Sequence, residues 1–178
     1  MARSTSDAPD SKEQRLNRIR IRAARPNDAD VLLELVDALA DYEKFERPSV
    51  NARERLTRDL FGPHPRIQAY LAELNGEAVA YAITLETYSS FLALPALYLE
   101  DIFVKLDYRR HGVGRALFRF LAGEAIRRGC SRMEWAVLDW NKLAIDFYEH
   151  IGARRVAEWN LYRLSAQQLQ ELSTPLPE

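Results

Sequence analysis

The chain has one cysteine, Cys130, so an intrachain disulfide is excluded, and with only three scattered histidines it spells no zinc-type ligand cluster. Cys130 stands at the entrance of an expected strand with no histidine near it in sequence, which favours an incidental or structural thiol over a nucleophile. Neither charge predominates: 25 basic residues face 26 acidic ones, and a net charge of −1 provides no electrostatic footprint for nucleic acid. No apolar run approaches the roughly 20 residues of a membrane span, and the first 18 residues are polar with no hydrophobic leader core. Cytoplasmic placement, with no membrane or nucleic-acid partner, is the expectation. Internal repeats and low-complexity tracts are also missing.

A chain of 178 residues that is 47% hydrophobic suits one domain, since this length buries roughly 70% of its unfolded surface. Residues 1–18 mix Ser, Asp, Lys, Glu and Arg without an apolar period and read as a flexible tail, leaving residues 19–178 for the domain. An alternating stretch from about Ile19 reads as a half-buried strand ended by Pro26. Asn27 or Asp28 then caps a helix to about Tyr42, with Val31, Leu32, Leu35, Val36 and Leu39 inward. Asp30, Glu34, Asp37, Asp41 and Glu43 form its other face, read as solvated.

Asn51 followed by Glu54 has the spacing of a capping box and opens a second helix to about Leu60. Residues 67–74 and 78–85 read as a hairpin turning at Asn75-Gly76, a dipeptide that accepts positive φ at both positions. Residues 87–95 read as a loop, and 96–104 as a buried strand. Helices are expected over 114–128 and 143–151, strands over 132–138 and 156–164, and a last short helix capped by Ser165.

The stretch from Asp101 to Phe120 concentrates the chemistry. An apolar strand runs through a basic glycine turn into a helix, and Gly112 and Gly114 allow backbone N–H groups to converge on an anion at the helix's positive end. Arg109, Arg110, His111 and Arg115 supply matching charge. A P-loop is a weak reading because no Lys-Ser/Thr follows Gly114, and so is a Rossmann turn because Leu117 stands where its third glycine belongs. Glu100 and Asp101 put two carboxylates inside an apolar strand, which is costly unless they are paired or used.

Arg109-Arg110-His111-Gly112-Val113-Gly114 after a strand, with Asn141-Lys-Leu-Ala-Ile-Asp-Phe-Tyr148 and Gly152-Ala later, resembles the two landmarks of the GCN5-related N-acetyltransferase family. The resemblance extends from about Ile19 to Leu172. Within the family it is nearest to the diamine acetyltransferases, the spermidine/spermine and thialysine enzymes, through Tyr42-Glu43-Lys, Phe-Gly-Pro-His-Pro and Leu-Glu100-Asp101-Ile-Phe-Val104. The polyamine enzymes carry Asp-Pro-Trp before the central strand, whereas this chain has Tyr88-Ser89-Ser90-Phe91.

The resemblance implies an α/β fold: a mixed sheet of about six to seven strands and about four helices, with acetyl-CoA in a V between central strands. It implies no metal, a small cationic amine as acceptor and a homodimer. The co-substrate would lie on Ile102, Phe103 and Val104, on the turn Arg109, Arg110, His111, Gly112, Val113, Gly114 and Arg115, and on Asn141, Ala144 and Tyr148. Tyr42, Glu43, Glu100, Glu134, Trp135 and Ala136 match substrate-side positions. Glu100 would deprotonate the amine, through water, and Tyr148 would protonate the departing thiolate. An acetyltransferase for protein lysines or N-termini and a non-catalytic acyl-CoA-binding module are the alternatives.

Overall fold

The computed structural model describes residues 19–174, so the expected tail at 1–18 lies outside the described residues. The chain divides between Ala136 and Val137 into two compact units, each built on its own terms.

The first unit is organised on an ordered sheet, β1-β2-β3-β4-β5. Strand β1 (Ile19–Ala23) pairs antiparallel with β2 (Gln68–Leu74), from Ile19 opposite Leu74 to Ala23 opposite Tyr70. Between them come a 3-10 turn (Pro26–Asp28), helix α1 (Ala29–Glu43) and helix α2 (Val50–Phe61). Asp28 organises the entry to α1: its carboxylate accepts the Arg25 N–H at 2.7 Å and both Arg22 terminal nitrogens at 2.6 and 2.8 Å. That pairing holds Asp28 below the usual carboxylate range, the Arg22 hydrogen bond being the main cause.

The cap of α2 is Ser49, whose hydroxyl accepts the Ala52 N–H at 3.3 Å, and not Asn51. Ser49 keeps the extended backbone a cap needs after Pro48, while Asn51 is already inside the first turn. The face of α1 read as solvated is partly paired. Arg53 reaches Asp37 at 2.6 Å and Arg47 reaches Asp41 at 2.6 Å, whereas Asp30 and Glu34 stay exposed.

Strand β3 (Glu77–Ser89) follows the Asn75-Gly76 turn, whose φ values of 54° and 86° are those the dipeptide favours. The expected loop over 87–95 is mostly strand: Thr87, Tyr88 and Ser89 pair with Ala96, Pro95 and Leu94, so β4 (Leu94–Val104) begins early and only residues 90–93 turn. Pro95 has no N–H to donate, yet its carbonyl still accepts the Ser131 N–H at 2.8 Å.

Helix α3 (Val113–Arg127) and the short β5 (Met133–Glu134) complete this unit. Strand β5 runs parallel to β4 and pairs only Met133 with Leu97 and Glu134 with Tyr98, not the whole of 132–138.

The two faces of the sheet carry different helices. Ala69, Leu71, Tyr81, Ile83 and Phe103 pack with Leu32 and Leu35 of α1 and Leu60 of α2. Burial of each leucine there contributes roughly 2 kcal/mol. On the opposite face Tyr70 meets Phe120 edge-on at 5.2 Å, and Arg128 bonds Gln68, Tyr70 and Glu124, which ties the end of α3 to β2.

In the second unit Asn141 caps helix α4 (Lys142–His150), accepting the Ala144 N–H at 3.3 Å. Gly152, at φ 94°, stops it, and Ala153 N–H returns to the Tyr148 carbonyl at 3.0 Å. Ser165 and Gln168 form a reciprocal capping box at the start of α5 (Ala166–Ser173).

The expected strand over 156–164 is not formed. Trp159, Leu161 and Tyr162 are 78%, 79% and 88% exposed, and alternation alone makes no strand without a ladder partner. Among the described residues the sheet therefore has five strands, one or two fewer than expected, and five α-helices stand where about four were expected.

Candidate active site

Strand β4 is the axis of the site. Its ladder with β3 continues to Val104, but its ladder with β5 stops at Tyr98, so the edge from Leu99 to Val104 is open on the β5 side. Ile102, Phe103 and Val104 lie on that stretch. Such an edge offers backbone donors and acceptors to an extended acyl chain, as to an added strand.

A bulge interrupts β4 at the carboxylates. Ile83 pairs with Asp101 and Thr84 with Leu99, which leaves Glu100 as the extra residue. Glu100 is exposed, while Asp101 lies on the α1 face beside Ile83 and accepts the Tyr81 hydroxyl at 3.3 Å. Burial is the main cause that raises the Asp101 carboxyl to about 6, the neighbouring Glu100 charge adds to it, the Tyr81 bond opposes it and Glu43 contributes a little more. Burial likewise pushes the Tyr81 phenol far up and raises Glu43, the last residue of α1.

The charges of Glu100 and, more weakly, Glu43 thus both act on Asp101. Asp101 was not among the expected site residues. Its adjacency to Glu100 in an apolar strand was visible in the sequence, while the bulge between the two comes from the strand register.

Glu134 is ion-paired with Arg132 at 2.8 Å, so its carboxylate is partly neutralised. Tyr98, its register partner, has a phenol raised by burial and then by the Glu100 and Glu134 charges. Trp135 packs edge-on against Phe118 of α3 at 5.2 Å, and Ala136 is exposed.

Beyond β4 a 3-10 turn (Leu106–Tyr108) leads into the glycine turn. Arg110 and Gly112 both have left-handed backbone, φ 65° and 86°, on either side of His111, just before α3 begins at Val113. A turn of this kind at a helix N-terminus is where backbone N–H groups can converge on an anion. Gly112 is required by its φ. Gly114 is already in the helix, where its φ does not call for glycine.

The side chains of Arg110, His111 and Arg115 are exposed, whereas that of Val113 is 1% exposed and only its backbone can serve a ligand. Arg109 turns back instead: its Nε donates to the Val104 carbonyl at 3.1 Å and its guanidinium lies over the Tyr42 ring, 4.3 Å from the centroid. Among the described residues no three His, Cys, Asp or Glu side chains gather as a metal site would require.

In the second unit, Asn141 and Ala144 belong to the first turn of α4, which the Asn141 side chain caps. Tyr148 lies on the same helix, half-buried, with its ring edge-on to Phe147 at 5.7 Å.

Residues 32–153 match the acetyltransferase (GNAT) family model. The chain belongs to the acetyltransferase (GNAT) family. It is 35% identical over 164 residues to thialysine N-epsilon-acetyltransferase of Sus scrofa, covering 86% of this chain and 96% of that protein. L-ornithine N5-acetyltransferase of Arabidopsis thaliana is 30% identical, over 86% of this chain and 87% of its own length. Among solved structures, an integron cassette protein from the mobile metagenome of V. cholerae shares the fold with a TM-score of 0.76 at 23% identity, over 89% of this chain and 99% of that one. The chain is thus an acetyl-CoA-dependent N-acetyltransferase acting on amines. Among the described residues no helix is long and apolar enough to cross a membrane.

Proposed function

We propose that this GNAT enzyme transfers the acetyl group of acetyl-CoA directly to a primary amine of a small cationic substrate, thialysine, a short diamine or a related polyamine. The observation that carries the proposal is the carboxylate pair Glu100 and Asp101 at the β4 bulge, where the β5 ladder has ended, with the Glu43 charge also acting on Asp101. Opposite charge at a partly desolvated position favours a compact ammonium group, and each charge-assisted bond contributes about 1.5–3 kcal/mol. The similar proteins named above, for thialysine and for L-ornithine, support the same class of acceptor.

In this reading the pyrophosphate of acetyl-CoA rests on the turn at Arg110–Gly112 and the α3 N-terminus, and its pantetheine arm extends along Ile102–Val104. A primary amine with a pKa near ~10 is almost wholly protonated at neutral pH, so it must lose a proton before it attacks. Glu100, exposed at the bulge, takes that proton through water. The amine nitrogen then bonds to the thioester carbonyl carbon, a backbone N–H of β4 steadies the oxyanion, and the C–S bond breaks. The departing thiolate takes a proton from Tyr148, and the second proton shed by the acceptor nitrogen returns to that phenolate through water. Glu43 and Asp101 hold the remaining positive charge of the acceptor. The enzyme works in the cytoplasm as a homodimer, the setting suggested by its single cysteine and by the family resemblance.

The test is release of free thiol from acetyl-CoA with a panel of amines and lysine peptides. Short diamines and thialysine should give the highest kcat/KM. Activity confined to peptides would move the acceptor to proteins, and binding of acetyl-CoA with no turnover on any acceptor would leave only a binding module.

A further inference from the structure

Arg109 opens the glycine turn in sequence, yet its side chain is committed elsewhere. Its Nε donates to the carbonyl of Val104, the last residue of β4, at 3.1 Å. Its guanidinium carbon lies 4.3 Å from the Tyr42 ring centroid and 5.6 Å from that of Phe103, and those two rings are tilted against each other at 6.2 Å. One cation therefore joins the end of β4 to the last turn of α1. A guanidinium can stack on a ring while keeping a directed N–H bond, which an ammonium on a flexible stem cannot reproduce.

We infer that Arg109 is a positioning residue that braces the Tyr42–Glu43 end of α1 against the open edge of β4, and so shapes the amine subsite instead of gripping the phosphates of the co-substrate. The inference rests on the reading of this site as one for acetyl-CoA and an amine. Glu43 directly follows the braced tyrosine and ends α1, so the stack sets where that carboxylate stands relative to Asp101. With its Nε on Val104 and its face on Tyr42, the guanidinium has only its terminal nitrogens left for any other partner.

The experiment compares Arg109→Lys, which keeps the charge, with Arg109→Gln, which removes it. Calorimetry measures the Kd for CoA at two salt concentrations, and steady-state kinetics at saturating acetyl-CoA measures KM and kcat for 1,3-diaminopropane. Both variants should bind CoA within about twofold of the parent, with unchanged salt dependence, while KM for the diamine rises about tenfold in each. Tyr42→Leu should reproduce that KM increase and add little to it when combined with Arg109→Lys.

A loss of CoA affinity in Arg109→Gln that lysine restores, with the diamine KM unmoved, would overturn the inference and make Arg109 a phosphate ligand. Additive effects of the Tyr42 and Arg109 substitutions would also overturn it. If the parent enzyme acetylates no amine, the functional reading fails separately. The brace is then read from the same double-mutant cycle in urea unfolding, where additivity would refute it.

Discussion

Asp101→Asn should make this protein more stable and a poorer catalyst, and the gain in stability should depend on pH in a defined way. Burial raises the Asp101 carboxyl from 3.8 to about 6. The folded state therefore binds this proton more tightly than the unfolded chain, and between those two values stability falls as pH rises. Above about 6 the penalty levels off at about 3 kcal/mol, at 1.36 kcal/mol for each tenfold change in proton affinity. Asparagine is neutral throughout and keeps an oxygen to accept the Tyr81 hydroxyl that now bonds Asp101 at 3.3 Å. The variant should gain about 0.5 kcal/mol at pH 4 and about 3 kcal/mol at pH 7.5, or roughly 5–10 °C in Tm at the higher pH. Urea unfolding of both proteins across that pH range measures the difference directly. A stability difference that does not change with pH, or a variant less stable than its parent at pH 7.5, would refute the argument that this carboxylate is held ionised at a cost. If Asp101 holds the acceptor's charge as proposed, kcat/KM for diamines should fall at the same time.

The other expectations separate the parts of the site. Gly114→Val should abolish acetyl-CoA binding in a folded chain, since a branched side chain on the second residue of α3 would obstruct close approach to the turn's N–H groups; unchanged affinity by calorimetry would dismiss that site. Tyr148→Phe should lower kcat by roughly 100-fold with acetyl-CoA still bound, and full kcat where chemistry limits the rate would return Tyr148 to packing. Glu43→Gln should raise KM most for dicationic acceptors, and kcat/KM should fall from short diamines to spermine; an equal or higher value for spermine would contradict the compact-cation reading. Lys44→Gly should add about 1 kcal/mol of stability, because Lys44 closes α1 at φ 62°, where glycine carries no Cβ strain; thermal unfolding shows whether Tm rises.

Features governed by neighbours in sequence were legible without the fold. The Asn75-Gly76 hairpin, the Gly112 turn into α3, the Asn141 landmark at the head of α4 and the Ser165 cap are local: each depends on a φ preference or on a side chain reaching three residues away. The acetyltransferase resemblance was also legible, because its turn motif is itself a local backbone device followed by a helix. Tertiary structure decided everything that depends on a partner distant in the chain. The alternating residues at 156–164 formed no strand, since a strand exists only as half of a ladder. Residues 87–89 and 94–95 became strand because β3 and β4 continued to pair past the serine- and aromatic-rich turn that suggested a loop. The bulge at Glu100 arises from the register between those same two strands, and it gave Asp101 its buried, proton-retaining setting. Arg109 belongs to the motif by position, but its guanidinium follows the Tyr42 face and the Val104 carbonyl. Long-range packing and charge, which no local pattern encodes, set that choice.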